Sequence, residues 1–360
     1  MQVPVYEKLR FTQKKSSDFY QTVKSRVFDH LHAHGSRGKG DWRMLGKGLF
    51  FVGLYVGAYV AILLGDFSRG MMLFWGILMA LSAVCIVFNI VHDASHHAIF
   101  SNRKYNKWLV LLGDLVGINT YIWDIRHNVQ HHTFTNILGG DIIIEQVPLI
   151  RLSPHQPKYR FHRYQSLYAV LMYSLYTLYW IFVIDFRLFF KKNICNLHNI
   201  QHPRTEWMKL WFFKTFFLTY ILFIPMMVLD LPWYEVLLGF MLMHLSAGLL
   251  LSFVAVLGHF VEGPSFPAPD SSGVIDKTWG DHELEATIDF ANRSRFMHWL
   301  TGGLNTHIAH HLFPQVCHVH YYEMTPIIQQ TAREFGMPYR AERFGAALSS
   351  HFRYLRKMGQ

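Results

Sequence analysis

Four long, nearly charge-free stretches limit what this chain can become. Residues 48–65, 71–91, 208–229 and 236–258 are apolar almost throughout, with Lys214 near the start of the third. A helix that crosses a bilayer needs about 20 such residues, with a range of about 17–25. Buried helices of a soluble core usually keep a polar stripe, and these stretches have none over most of their length. The short breaks Asp66-Phe67-Ser68-Arg69-Gly70 and Leu231-Pro232-Trp233-Tyr234-Glu235 join them in pairs. The expected fold is therefore an all-α integral membrane protein with four transmembrane helices in two hairpins.

Composition agrees. Charged residues make up 16% of the 360, against about 25% in an ordinary soluble domain. Cys85, Cys195 and Cys317 show no paired spacing, so neither a disulfide framework nor a thiolate zinc site is expected. The net charge of +10 does not indicate nucleic acid, because there is no soluble domain to carry a binding surface. Basic flanks beside apolar spans indicate instead the cytoplasmic side and contact with anionic membrane lipid. Residues 1–46 are read as a polar, basic cytoplasmic segment, 47–340 as the membrane-embedded domain and 341–360 as a basic tail.

Three short words rich in histidine adjoin the spans: His92-Asp93-Ala94-Ser95-His96-His97, His127-Asn128-Val129-Gln130-His131-His132 and Thr306-His307-Ile308-Ala309-His310-His311. Imidazole is a common ligand of borderline transition metals. At about 100° per residue, an α-helix puts His92 and His96 on one face. It does the same for His127 and His131, with His132 turned about 140° away from His127. His307, His310 and His311 also share a face. A lone histidine in apolar surroundings is often a satisfied core residue, but three such words supply more imidazoles than one ion can use. A two-metal site explains the count. His259, at the end of the fourth span, is a further candidate ligand, and His97 and Asp93 are candidates for ligation or for a supporting role.

Shared ligands must lie on one side of the bilayer. The first two words follow the second span, so an even number of crossings must separate them from His259 and the third word. The four spans satisfy this. A further uncharged stretch, 164–184, has basic residues at both ends and many tyrosines, and is read as an interfacial helix. Residues 108–120, broken by Asp114, are too short to cross and are read as a re-entrant or surface helix. Both termini and all three words would be cytoplasmic, forming a histidine-rich helical cap that holds two metals.

Asp93, Asp124, Glu262 and Asp289 are candidates to hydrogen-bond the non-ligating ring nitrogens, and His318 and His320 lie near enough to the third word to assist. Imidazole-rich, carboxylate-poor coordination suits iron better than magnesium or calcium. Zinc has no redox chemistry and could fill the same ligands in a purified, inactive sample. Trp123, Trp180, Tyr121 and Trp299 are candidate neighbours of a slot for an oil-side substrate.

The three words and their surroundings, including His131-His132-Thr133-Phe134-Thr135-Asn136 and Gly302-Gly303-Leu304-Asn305-Thr306-His307-Ile308-Ala309-His310-His311-Leu312-Phe313-Pro314, closely resemble the membrane-bound fatty acid desaturases. The match is to a bacterial acyl-CoA or acyl-lipid branch related to the front-end enzymes, and it runs from about residue 40 to residue 340. The resemblance implies a cytosolic di-iron centre, and ligand roles for His92, His96, His127, His131, His132, His259, His307, His310 and His311. It also implies O2-dependent introduction of a cis double bond into a fatty acyl chain. In the front-end group glutamine usually stands where this chain has His307. Residues 1–46 are too short for the fused cytochrome b5 domain of many members, so an external donor such as ferredoxin or cytochrome b5 is expected. The implied location is a bacterial inner membrane. Two other readings use the same words. One is a lipid hydroxylase or ketolase, which begins with the same hydrogen abstraction. The other is a metal transporter or channel, which would place its polar residues at mid-span.

Overall fold

The computed structural model describes residues 8–12, 18–145 and 148–360. Among them, four helices are long and apolar enough to cross a membrane: Trp42–Leu64, Arg69–Ser95, Arg204–Val228 and Trp233–Leu257. Each contains most of one apolar run read from the sequence and starts a few residues earlier. The local signals for those starts are visible. Asp41 caps the first helix, accepting from the Arg43 and Met44 amides at 2.9 and 3.3 Å. Ser68 caps the second, and Pro203 and Pro232 precede the third and fourth. The protein is thus an all-α integral membrane protein.

The Arg69–Ser95 and Trp233–Leu257 helices are the more buried members of the set. They pack on each other and carry His92 and His259 at or just beyond their ends. Two further helix pairs are sharply bent. Arg103–Leu115 and Thr120–Phe134 meet at 113°, and Arg160–Ser174 and Tyr176–Phe189 meet at 65°. The first bend falls inside the apolar stretch at 108–120 and puts the second histidine word on its outgoing arm. The second pair contains the tyrosine-rich stretch 164–184.

Residues 341–360 differ from the basic tail read from the sequence. Ala341–Glu342 pairs in parallel with Asp289–Phe290, and Phe344–Gly359 is a helix. Ala347, His351, Tyr354 and Leu355 are buried on one face of it, packed into the main core. The basic residues occupy the opposite face, a spacing that the run of charges obscures.

Candidate metal centre

The structure gathers eight of the candidate histidines into two adjoining groups. In the first, His92, His96, His127, His132 and His310 each offer a ring nitrogen within 4.8 Å of the others. His131, His259 and His311 form the second on the same criterion. His307 joins the second through His259, with the two Nε2 atoms 2.7 Å apart. Other Nε2 pairs are slightly farther apart: 3.0 Å for His92 and His127, and 3.2 Å both for His127 and His132 and for His131 and His259. With metal–nitrogen bonds of about 2.0–2.1 Å, ligands at right angles on one ion stand about 3 Å apart. The groups touch where the His132 and His311 rings lie 4.4 Å apart.

The partition differs from the α-helical faces expected from the sequence, and the backbone gives the reason. Residues Ile125–His131 are π-helical, and the His132 amide bonds back to the His127 carbonyl. A π turn closes five residues apart instead of four. His127 and His132 therefore share the first group, and His131 is turned toward the second. The third word also splits, because adjacent residues on the His307–Leu312 helix diverge by about 100°. His310 goes to the first group, while His307 and His311, one α turn apart, go to the second. His92 with His96, and His307 with His311, keep the pairing read from the sequence. Another π turn, Val87–Val91, delivers His92.

The second ring nitrogens show how the imidazoles are aimed. His131 Nδ1 donates to Asp141 at 2.9 Å, and His311 Nδ1 donates to Glu283 at 2.8 Å. His307 Nδ1 donates to the Leu304 carbonyl at 3.1 Å, and His259 Nδ1 to the Ala286 carbonyl at 3.3 Å. These bonds fix the proton on Nδ1 and leave the Nε2 lone pairs directed inward. Nε2 of His96, His310 and His311 is buried with no hydrogen-bond partner. Unpaired buried acceptors are costly, and a metal ion is the partner that these convergent lone pairs fit. Burial, then neighbouring imidazoles, holds His96, His127, His132, His259, His310 and His311 well below the usual histidine pKa. His307 is pushed down to about 3. Neutral imidazole is the form that ligates.

Neither Asp141 nor Glu283 was among the acids favoured from the sequence. Glu283 lies in Trp279-Gly280-Asp281-His282-Glu283-Leu284-Glu285, where nothing in the sequence separates the buried acid from its exposed-looking neighbours. Asp141 follows His131 by ten residues and returns to it only through the Gly139-Gly140 turn. Of the favoured acids, Asp124 accepts from Asn128 and Glu262 pairs with Arg353 near the surface. Asp289 accepts from the Ile308 amide at 3.0 Å, so it anchors the third word through backbone. Asp93 lies 3.7 Å from His92 Nδ1 and accepts from His318 Nδ1 at 2.7 Å.

Asp93, Cys317 and His318 form a third cluster with metal-like spacing, but a cation already stands there. Lys47 Nζ is 2.7 Å from His318 Nε2, so both ring nitrogens of His318 are engaged. His320 bonds Ser36 and the Lys39 carbonyl. His97 lies outside both histidine groups, in a left-handed conformation (φ 57°), with its carbonyl accepting from Lys39.

Gly302 and Gly303, at φ +60° and +73°, make the turn that presents the third word. A Cβ on Gly302 would collide with the Phe88 carbonyl, so glycine lets this turn press against the end of the second span. Beneath the histidines lies an apolar cavity of about 170 Å³ whose walls include His92, His131, His259, Trp123 and Trp180. A smaller cavity of about 60 Å³ shares Val87, Trp180 and Leu251 with it and continues between the membrane helices. Tyr121 and Trp299 line neither one.

The fold and site define a multi-pass membrane protein with clustered histidines that form candidate metal sites, fitted to a di-iron cofactor, over an apolar slot. Residues 68–343 match the fatty acid desaturase family model. The chain is 33% identical to the sn-1 linoleoyl-lipid 6-desaturase of Synechocystis sp. (strain ATCC 27184 / PCC 6803 / Kazusa), over 98% of both chains. It is 31% identical to the enzyme of the same name from Arthrospira platensis, over 97% of this chain and 95% of that one. Identity to the acyl-lipid (8-3)-desaturase of Physcomitrium patens is 30%, over 98% of this chain and 74% of the relative. The chain belongs to the fatty acid desaturase family. It is an O2-dependent, di-iron-type oxidoreductase that acts on a fatty acyl chain.

Proposed function

We propose that His92, His96, His127, His132 and His310 hold one iron, and that His131, His259, His307 and His311 hold the other. The observation that carries this is the convergence of ring nitrogens in two adjoining groups, with the Nδ1 atoms of His131, His259, His307 and His311 tied outward. Irons bound there would supply the activation of dioxygen that removes two hydrogens from the chain. Overall, one saturated carbon–carbon bond, O2, two electrons and two protons give one cis double bond and two waters. The protein's own residues hold the imidazoles in place, exclude water through the apolar walls and lay the chain beside both groups.

The relatives' names concern acyl-lipid substrates and positions numbered 6 and 8-3. On that likeness the substrate is an acyl lipid, and the new bond lies toward its carboxyl end. The four long helices form two hairpins, with 164–184 interfacial and the histidine cap and both termini cytoplasmic, in a bacterial inner membrane. Electrons come from an external donor such as ferredoxin or cytochrome b5. The parity of crossings and the basic flanks support this arrangement.

Lipids from cells expressing the protein, beside a His131→Ala control, test the reading by mass spectrometry with location of the double bond. A new double bond near the carboxyl end, absent from the control, is expected. An oxygenated chain would replace desaturation by hydroxylation, and an unchanged lipid profile would refute the proposal.

A further inference from the structure

We propose that a basic notch at the start of the first membrane helix binds the phosphate of an anionic lipid headgroup. The notch has a volume of about 300 Å³, and its walls include Arg43, Lys47, Arg295, His298, His318 and Glu323. Its three basic side chains, Arg43, Lys47 and Arg295, come from two separate elements, the Trp42–Leu64 and Arg295–Leu300 helices. Arg43 and Arg295 are exposed, while Lys47 is buried at the floor, bonded to the Trp299 carbonyl at 3.2 Å and in contact with His318. Three acids face the same cations: Asp41, 2.8 Å from Arg43, Glu323, 3.8 Å from it, and Asp93, which bonds the far side of His318 from Lys47. No acid pairs with Arg295 among the described residues; its guanidinium lies 5.6 Å from the Tyr322 ring centroid.

Position identifies the source of the phosphate. Lys47 is the last charged residue before the uncharged run of the first span, so the notch opens where hydrocarbon gives way to headgroups. Trp42, Leu49 and Phe50, on the same helix as Arg43 and Lys47, and Phe296, next to Arg295, are all more than half exposed. The Trp299 ring packs on Phe50 and Phe51 at 5.6 and 4.8 Å. Aromatic side chains beside basic ones are the usual furniture of the membrane interface, and basic pockets there take anionic headgroups. A lipid satisfies both surfaces at once, its phosphate on the cations and its chains along Phe50 and Trp299. A soluble acidic protein would cover the cations and leave the apolar flank bare. The inference rests on the proposed membrane orientation. The floor of the notch also reaches the first histidine group, through His318 and Asp93 to His92.

The test uses full-length protein in vesicles of phosphatidylcholine with graded phosphatidylglycerol, then native mass spectrometry after detergent extraction. The wild type should keep one phosphatidylglycerol and shed phosphatidylcholine. Arg43→Gln/Arg295→Gln should lower that retention by about tenfold or more, and Arg43→Lys/Arg295→Lys should restore part of it. Unchanged iron content would show that the double variant is folded, and product formation in the same vesicles reads the desaturase assignment separately. Equal retention by wild type and the glutamine variant would overturn the proposal. Inorganic phosphate displacing the lipid at equal concentration would reassign the site to the free ion. A raised KM for the reduced donor with lipid retention intact would make the notch a protein-docking surface instead.

Discussion

Replacing Gly258 by alanine tests whether His307 belongs to the second group. A Cβ at this position would stand 2.6 Å from His307 Cγ and 2.7 Å from its Nε2, where ordinary contact begins at 3.4 Å. The ring must therefore retreat by more than the 0.8 Å that separates 3.4 from 2.6 Å, because its Cδ2 lies closer still to the added Cβ. It has little freedom to do so. Nδ1 is held by the Leu304 carbonyl, Nε2 faces His259, and the helix start is pinned by Asp289. Overpacking of this kind costs about 1–3 kcal/mol, and a penalty of that size on the metal-bound form weakens binding about 5–150-fold. Titrating iron into apoprotein, followed by elemental analysis, should show the first ion retained near wild-type affinity and the second weakened. Gly239→Ala, on the same helix with nothing within 4 Å of its Cβ, should be silent. Two irons at wild-type affinity in Gly258→Ala would refute the placement of His307.

Three further substitutions probe other parts of the site. Glu283→Ala frees the Nδ1 proton of His311 and should weaken metal binding by about 10–100-fold, read by the same titration. Ala247→Phe fills the 60 Å³ cavity between the membrane helices; products should shift to shorter chains with iron content unchanged, and an unaltered chain-length profile would remove that cavity from the substrate path. Lys214 Nζ lies 2.6 Å from the buried Asp185 carboxylate, which also accepts from the Trp180 indole at 3.0 Å. Lys214→Met should destabilise the fold by about 3–5 kcal/mol, seen as a lower melting temperature that adding Asp185→Asn largely restores.

The membrane helices were legible because composition alone reports them: a charge inside a span is expensive, so its absence over twenty residues carries information. The nine candidate ligands were legible for a similar reason, since imidazole so concentrated has few other uses. Trp123 and Trp180 line the apolar cavity beneath the histidines, whereas Tyr121 bonds His202 and Trp299 lines the basic notch. Asp141 and Glu283 were not legible. A carboxylate that aims a histidine is chosen by three-dimensional proximity, and Glu283 lies far along the chain from His132 and His307 alike. The helix at Phe344–Gly359 was legible in principle, because Ala347, His351, Tyr354 and Leu355 recur at helical spacing, but the eye follows its arginines.

The pairing of histidines needs a different kind of information, namely the local pitch. Spacing assigns His127 and His131 to one face only if the segment is α-helical, and the π turn at Ile125–His131 reassigns them. Such turns are frequent at functional sites, and here one has an evident effect: two consecutive histidines serve different groups while His127 and His132 stay together. Deleting Val129 isolates that effect, since its side chain is 42% exposed and contributes little to the core. The shortened segment would put the residues now numbered 131 and 132 three and four positions after His127, both within about 60° of it on an α-helix. His132 would keep its place in the first group, and His131 would be drawn away from His259 and the Asp141 carboxylate. Iron content should then fall from two per chain to one, with the helical circular dichroism preserved. Two irons retained by the deletion variant would mean that the π turn does not set the partition.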